Sequence, residues 1–216
     1  MSQGITYVVW GNNTLKPGAT FTPITEAIMS AKSHQYPTCI ITDDTSTVPN
    51  NVFSIVIKDD FSRFEGYNNF YRKFIAFERS PFDSTILLDS DTRVIGPLDL
   101  VFRKIEQFGL VMAMAPGQTF LWYDIQYVHY NSGLIGYKGN QSDLLNKLLE
   151  TSKEFGNTQS DEAAISVMVD RANINPFTLP EVFNYFHGSG VHPRKIHVWH
   201  SHEDVKYTHT ENQNVR

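Results

Sequence analysis

The chain has 216 residues, a formal net charge of −5, and 19% charged residues against 41% hydrophobic and 13% aromatic ones. A chain this long buries about seven-tenths of its unfolded surface, so one globular domain is expected and a disordered or supercharged polymer is excluded. The acidic balance also argues against a protein that grips nucleic acid along its length, because that work needs a basic stripe to displace counterions.

Ile5 to Trp10 is a β-branched and aromatic run ended by Gly11-Asn12-Asn13, the way a buried strand meets a turn. Pro23 to His34 carries Ile24, Ala27, Ile28 and Ala31 at helical spacing, with Pro23 suited to a first turn. Thr38 to Thr42 and Phe53 to Ile57 are short apolar runs finishing in Asp43-Asp44 and Asp59-Asp60. Asn69 to Phe77 reads as an amphipathic helix, with Phe70, Phe74 and Phe77 on one stripe and Arg72 and Lys73 flanking it. Thr85 to Leu88 is continuously apolar, which suits a strand covered on both faces, and it runs into Asp89-Ser90-Asp91. A helix restarts from Pro97 through Ile105, and strands are expected at Leu110 to Ala115 and Leu134 to Tyr137, with an aromatic loop between them. Ser142 to Phe155 and Ser160 to Arg171 read as helices and Lys195 to Trp199 as the last strand. Thr208 to Arg216 is polar, which divides the chain into a domain over 1–207 and a tail over 208–216.

Strand and helix alternate through the first half, predicting a single α/β, Rossmann-like domain whose mostly parallel sheet carries helices on both faces. Ligands of such sheets collect beyond the carboxyl ends of the strands, so Asp43-Asp44 and Asp89-Ser90-Asp91 are expected on one rim. The single cysteine, Cys39, excludes an internal disulfide and a thiolate metal cage, and its apolar setting reads as a buried structural thiol. Met1 to Gly4 lacks a basic leader and no apolar run approaches the ~20 residues of a membrane helix, so no transmembrane segment and a cytoplasmic location are expected. The sequons at Asn12 and Asn140 are then chance.

Two carboxylates one residue apart at a strand end converge on one cation only if the backbone leaves the pleat between them. Mn²⁺ or Mg²⁺ takes oxygen ligands, usually one or two carboxylates completed by substrate phosphates. Such an ion bridges a diphosphate and neutralises the charge that builds as a nucleotide leaves. An Asp-x-Asp triplet alone is common, but this one follows an apolar strand and precedes Thr92-Arg93-Val94-Ile95-Gly96-Pro97.

With Tyr71-Arg72-Lys73 before it, the block Ser84 to Thr92 resembles the donor site of the GT-A fold glycosyltransferases, in particular the glycogenin and lipopolysaccharide galactosyltransferase group. Tyr130-Asn131-Ser132-Gly133-Leu134 is similar to that group's Asn-[Ala/Ser]-Gly segment, and Ser160-Asp161-Glu162-Ala163 to its Asp-Gln helix start. His200-Ser201-His202-Glu203-Asp204-Val205-Lys206 keeps the His and Lys spacing of its His-x-x-Gly-x-x-Lys element. The resemblance spans residues 5 to 206 as ordered blocks. It implies a nucleotide-diphosphate sugar donor, UDP-linked above others, a carbohydrate or other hydroxyl acceptor, and Mn²⁺ or Mg²⁺ held by Asp89, Asp91 and His200. It also implies Arg72 or Lys73 on the diphosphate with Ser90, Asn131 and Asp161 on the sugar, and Lys206 on a phosphate oxygen. Trp10, Asn12 and Asp44 are candidates for the nucleoside pocket from their rim position. Two residues depart from the pattern: Glu203 stands where the group has Gly, and Glu162 where its retaining members have Gln. A carboxylate at 162 can serve as general base on the acceptor, as inverting members require, so both stereochemical outcomes stay open.

Simpler roles compete at several positions. Asp161 and Glu162 suit the first turn of a helix, with Thr158 and Asp161 resembling a capping box. Arg72 and Lys73 suit the polar side of a helix, and most of the C-terminal histidines, His187 to His209, need not be ligands. The aromatic run Phe120, Trp122, Tyr123, Tyr127 and Tyr130 fits either a core or a platform for an acceptor sugar. Two rival readings are a metal-dependent hydrolase built on Asp89, Asp91 and the histidines, and a sugar-nucleotide-binding module without catalysis. No Gly-rich, Arg-bearing first loop, P-loop, His-Glu-x-x-His helix or Gly-x-Ser-x-Gly elbow is present.

Overall fold

A computed structural model describes residues 1–11, 22–154, 160–186 and 196–200, with the side chains of 115–127 and 186 and the tip at 123–124 excepted. The polar tail expected over 208–216, and with it Asn12 and Lys206, lies outside the described residues.

Seven strands form the central sheet: β1 (Gln3–Val9), β2 (Thr38–Thr42), β3 (Ile55–Lys58), β4 (Ser84–Leu88), β6 (Leu110–Trp122), β7 (Ile125–Lys138) and β8 (Phe177–Leu179). Their spatial order is β3-β2-β1-β4-β7-β6-β8. β1 to β4 run parallel, β7 is antiparallel to both β4 and β6, and β8 is parallel to β6. A second sheet, ordered β5-β10-β9, joins β5 (Thr92–Val94), β10 (Val198–His200) and β9 (Tyr185–Phe186).

The continuous apolar runs are explained by two-sided burial. Along β1 the side chains of Ile5, Tyr7 and Val9 enter one core and Val8 the other; β2 divides Ile40 from Cys39 and Ile41, and β4 divides Ile86 and Leu88 from Leu87. Helices α1 (Pro23–Ala31) and α3 (Asp99–Phe108) supply Ile24, Ala27, Val101 and Ile105 to the first layer. The second layer is filled by the short α2 (Ala76–Arg79), by α4 (Ser142–Glu154) and α5 (Asp161–Arg171), and by the aromatics Phe74, Phe77 and Tyr137. Helices therefore cover both faces, as the alternation implied.

Several expectations need correction. The helix expected over Asn69 to Phe77 is a 3₁₀ segment, Asn69–Ile75, that becomes α-helical only at Ala76. Asn68 caps it by accepting from the Phe70 N–H. Tyr71, Lys73, Phe74 and Ile75 are buried, whereas Phe70, expected on one stripe with Phe74 and Phe77, is 57% exposed. The aromatic loop expected between β6 and β7 is mostly strand, since the two pair as a long antiparallel ladder out to Trp122 and Ile125. The side chains of Phe120, Trp122, Tyr123 and Tyr127 lie outside the described residues, while Tyr130 is buried in the core rather than offered as a platform.

Candidate active site

β1, β2 and β4 are parallel and in register, so Trp10-Gly11, Asp43-Asp44 and Asp89 emerge on one rim. At the end of β4 the pleat breaks: the Asp89 carbonyl accepts from the Thr92 N–H (3.2 Å) and from the Thr92 hydroxyl (2.7 Å), closing a tight turn into β5. That turn is the departure from the pleat that two carboxylates at i and i+2 need in order to face one point.

His200 arrives from the other side of the chain. β10 pairs with β5 so that His200 stands opposite Thr92, the residue that follows Asp91. Its Nε2 lies 3.2 Å from Asp91 Oδ1 and 3.7 Å from Asp89 Oδ2, and the ring is 1% exposed. The donor atoms of Asp89, Asp91 and His200 all fall within 4.8 Å of one another, and among the described residues no other group of three acidic, histidine or cysteine side chains gathers so closely. With metal–ligand bonds of about 2.1 Å, small side-chain rotations bring all three atoms onto one ion. Two carboxylates and an imidazole form a donor set for a divalent cation.

β7 brings the third group of residues. Leu88 pairs with Leu134, and the Asp89 N–H extends that ladder to the Gly133 carbonyl (3.1 Å). On the other side of β7, Met112 pairs with Ile135 but Ala113 with Asn131, so residues 132–134 bulge where Asn131, Ser132 and Gly133 meet the acidic turn. Gly133 is obligatory there: a Cβ would stand 2.2 Å from His200 Cε1 and 2.3 Å from its Nδ1.

Lys73 lies inside this cluster. Its ammonium is 2.9 and 3.1 Å from the two Asp89 oxygens, 2.7 Å from Asp161 Oδ2 and 2.8 Å from Ser132 Oγ. Burial alone would lower its proton affinity, but the carboxylates of Asp161 and Asp89 outweigh that and hold it above the usual lysine range. Burial pushes the Asp89 carboxyl up; Lys73 and His200 oppose that shift, while Asp91 and Asp161 add to it. Positive charge is therefore favoured wherever it can reach Asp89.

Asp161 is 6% exposed and accepts from Ser132 Oγ (2.7 Å) as well as from Lys73. The helix cap is Ser160, whose hydroxyl accepts from the Ala163 N–H (3.2 Å), while Thr158, the other half of the expected capping box, lies outside the described residues. Glu162 is clamped at both oxygens: Oε2 lies 3.1 Å from His129 Nε2, and Oε1 accepts from the Asn131 amide.

The other predicted residues sit farther out. Trp10 is half-buried edge-on to Phe61, and the adjoining Gly11 N–H donates to Asp43 (3.0 Å). Asp44 accepts from the Ser46 N–H (2.9 Å) and hydroxyl (2.6 Å), and so caps a 3₁₀ turn. Arg72 lies 6.0 Å over the Phe61 ring, apart from the Lys73 cluster, and Ser90 is half-buried in the turn. His197 stacks on Phe183 and reaches the Pro97 carbonyl (2.7 Å) instead of the site. Sequence reasoning gave no role to His129, Ser132 or Asn184. Ser132 lies within the Tyr130 to Leu134 segment, and His129, two residues before Asn131, shares its strand face by alternation. Asn184 carried no signal.

No family model matches this sequence, and no curated protein does either. Solved structures do. Two structures of the galactosyltransferase LgtC, one of an active-site mutant and one in complex with donor and acceptor sugar analogues, superpose with a TM-score of 0.66. Each is 11% identical over 93% of this chain and 87% of the other. The glycosyltransferase GlyE of Streptococcus pneumoniae TIGR4 gives 0.61 at 14% identity, over 92% of this chain and 54% of that one. The chain has the GT-A fold of these glycosyltransferases. Among the described residues no helix is long and apolar enough to cross a membrane.

Proposed function

We propose that residues 1–207 form a cytoplasmic glycosyltransferase that moves a sugar from a nucleotide-diphosphate donor, UDP-linked, to a hydroxyl acceptor. The observation that carries this reading is the convergence of Asp89, Asp91 and His200 on one point of the rim, beside the buried Lys73, in a fold shared with LgtC and GlyE. That one LgtC structure holds donor and acceptor sugar analogues supports a sugar donor and acceptor for this chain too. The lone buried thiol suits a reducing compartment.

Asp89, Asp91 and His200 would hold Mn²⁺ or Mg²⁺, which would supply positive charge against the leaving nucleotide diphosphate. Lys73, Arg72, Ser90 and Lys206 carry the remaining diphosphate contacts. Asn131 and Asp161 hold the sugar, and Trp10, Asn12 and Asp44 shape the nucleoside pocket. Glu162 acts as general base on the acceptor hydroxyl: His129 and Asn131 orient its carboxylate, which remains partly exposed. A two-metal hydrolase would draw further ligands to the rim, and among the described residues no second such cluster stands there.

Calorimetric titration of a panel of nucleotide-diphosphate sugars tests the reading. One donor should bind in the presence of Mn²⁺ and not in chelator, and Asp91→Ala should abolish the binding. Equal affinity with and without metal contradicts it.

A further inference from the structure

Two buried side-chain amides link the cation site to Glu162, and simple donor and acceptor bookkeeping fixes how each is turned. The Gly133 backbone N–H can only donate, and it points at Asn131 from 2.7 Å, so the Asn131 atom facing it is the carbonyl oxygen. The Asn131 nitrogen then faces the Glu162 carboxylate, which can accept its proton. The same Asn131 oxygen is also met by Asn184, and two carbonyl oxygens cannot bond each other, so Asn184 presents its nitrogen there. What remains of Asn184 is its oxygen, 3.0 Å from His200 Nδ1. An oxygen without a hydrogen requires a proton on that ring nitrogen. In the neutral imidazole the other nitrogen, Nε2, is then a bare lone pair. Nε2 is the atom that faces Asp91 and Asp89.

We infer that Asn184 is a positioning residue that holds the proton of His200 on Nδ1 and thereby presents the Nε2 lone pair to a cation shared with Asp89 and Asp91. Asn184 is suited to this by its own confinement. It is 2% exposed, and its N–H closes the 3₁₀ turn Glu181–Phe183 onto the Glu181 carbonyl (2.9 Å), immediately before β9 pairs with β10. The side chain thus leaves a fixed backbone point one residue from the strand beside His200. Hydrogen bonds to the second nitrogen of a metal-bound histidine fix its tautomer and orientation, and losing one costs about 10–100-fold in metal affinity. The inference rests on the cation site of the proposed function and not on the identity of the donor.

Two measurements on the full chain test it. In metal-free protein labelled with ¹⁵N-histidine, two-bond proton–nitrogen correlation at pH 8 should show His200 with a protonated Nδ1; the signals are assigned by their loss in His200→Gln. Mn²⁺ titration should then show Asn184→Leu binding about 10–100-fold more weakly than the wild type. Asn184→Asp, which still accepts from Nδ1, should bind close to the wild type even where its thermal stability falls. A purely structural role would not separate these two variants. An unprotonated Nδ1 in the wild type, or undiminished Mn²⁺ binding in Asn184→Leu, overturns the inference. If Asn184→Leu does not fold, the tautomer of the wild type decides. A chain with the expected tautomer that binds no nucleotide sugar would sink the proposed function and leave this inference standing.

Discussion

Replacing Gly133 with alanine is the smallest change that reaches the cation site without touching a proposed ligand. The added Cβ would lie 2.2 Å from His200 Cε1, 2.3 Å from Nδ1 and 2.9 Å from Asn131 Oδ1. Ordinary contact begins near 3.4 Å, so the ring has to retreat by about 3.4 − 2.2 = 1.2 Å. It cannot do so freely, because Asn184 holds Nδ1 and the paired strands β5 and β9 hold the backbone. Overpacking a buried site of this kind costs about 1–3 kcal/mol, and displacing a metal-bound imidazole costs about 10–100-fold in affinity. Gly133→Ala should therefore melt several degrees lower and bind Mn²⁺ at least tenfold more weakly, read by calorimetry and thermal denaturation on the same sample. A variant with wild-type melting and wild-type Mn²⁺ affinity would refute the close approach of Gly133 to His200.

Other perturbations probe other parts of the site. Lys73→Met leaves the buried Asp161 and half-buried Asp89 carboxylates without their ammonium, which should cost about 3–5 kcal/mol, and Mn²⁺ should restore part of the lost melting temperature; an unchanged melt contradicts the pairing. Glu162→Gln should reduce transfer by about 10²–10⁴-fold while donor affinity stays unchanged, and full turnover would remove Glu162 from the chemistry. His34 reports on the fold: burial pulls its imidazole down from 6.5 to about 4, and its Nδ1 accepts from the Tyr36 N–H (3.1 Å), a bond that a protonated nitrogen cannot accept. The unfolded chain takes up that proton first, so this contribution is complete above about pH 6.5 and is lost as pH falls toward 4. Allowing for partial exposure it amounts to about 1–2 kcal/mol. Melts of His34→Gln and wild type at pH 7.5 and 5 should show a loss of stability with acid that is larger in the wild type than in the variant; parallel declines contradict it.

The parts of the molecule written in local patterning were legible in the sequence. Thr85 to Leu88 read as a two-sided strand and is one, because no polar side chain in the run Ile86-Leu87-Leu88 has to reach water on either face. The rim position of Asp89-Ser90-Asp91 followed from the parallel order. What alternation and periodicity could not give are features created by pairing at a distance. The bulge at 132–134 exists because β6 and β7 change register there, and nothing in Asn131-Ser132-Gly133 alone marks it. In the small β5-β10-β9 sheet, β10 overlaps the strand expected over Lys195 to Trp199 and delivers His200, but β5 and β9, of three and two residues, are too short for any pattern. Lys73 reads either as a diphosphate contact or as a helix-surface cation, and its pairing with Asp89, Ser132 and Asp161 on other elements is not written in its own segment, while Asn184 owes its place to two neighbours 53 and 16 residues away.

The anomalous signal of manganese in crystals grown with Mn²⁺ and UDP bears most directly on the site itself. A single peak bonded to Asp89, Asp91 and His200 Nε2, with both phosphates of UDP on its open side, is the predicted result. A peak elsewhere on the molecule, or UDP bound with no ion between it and Asp89 and Asp91, would contradict it.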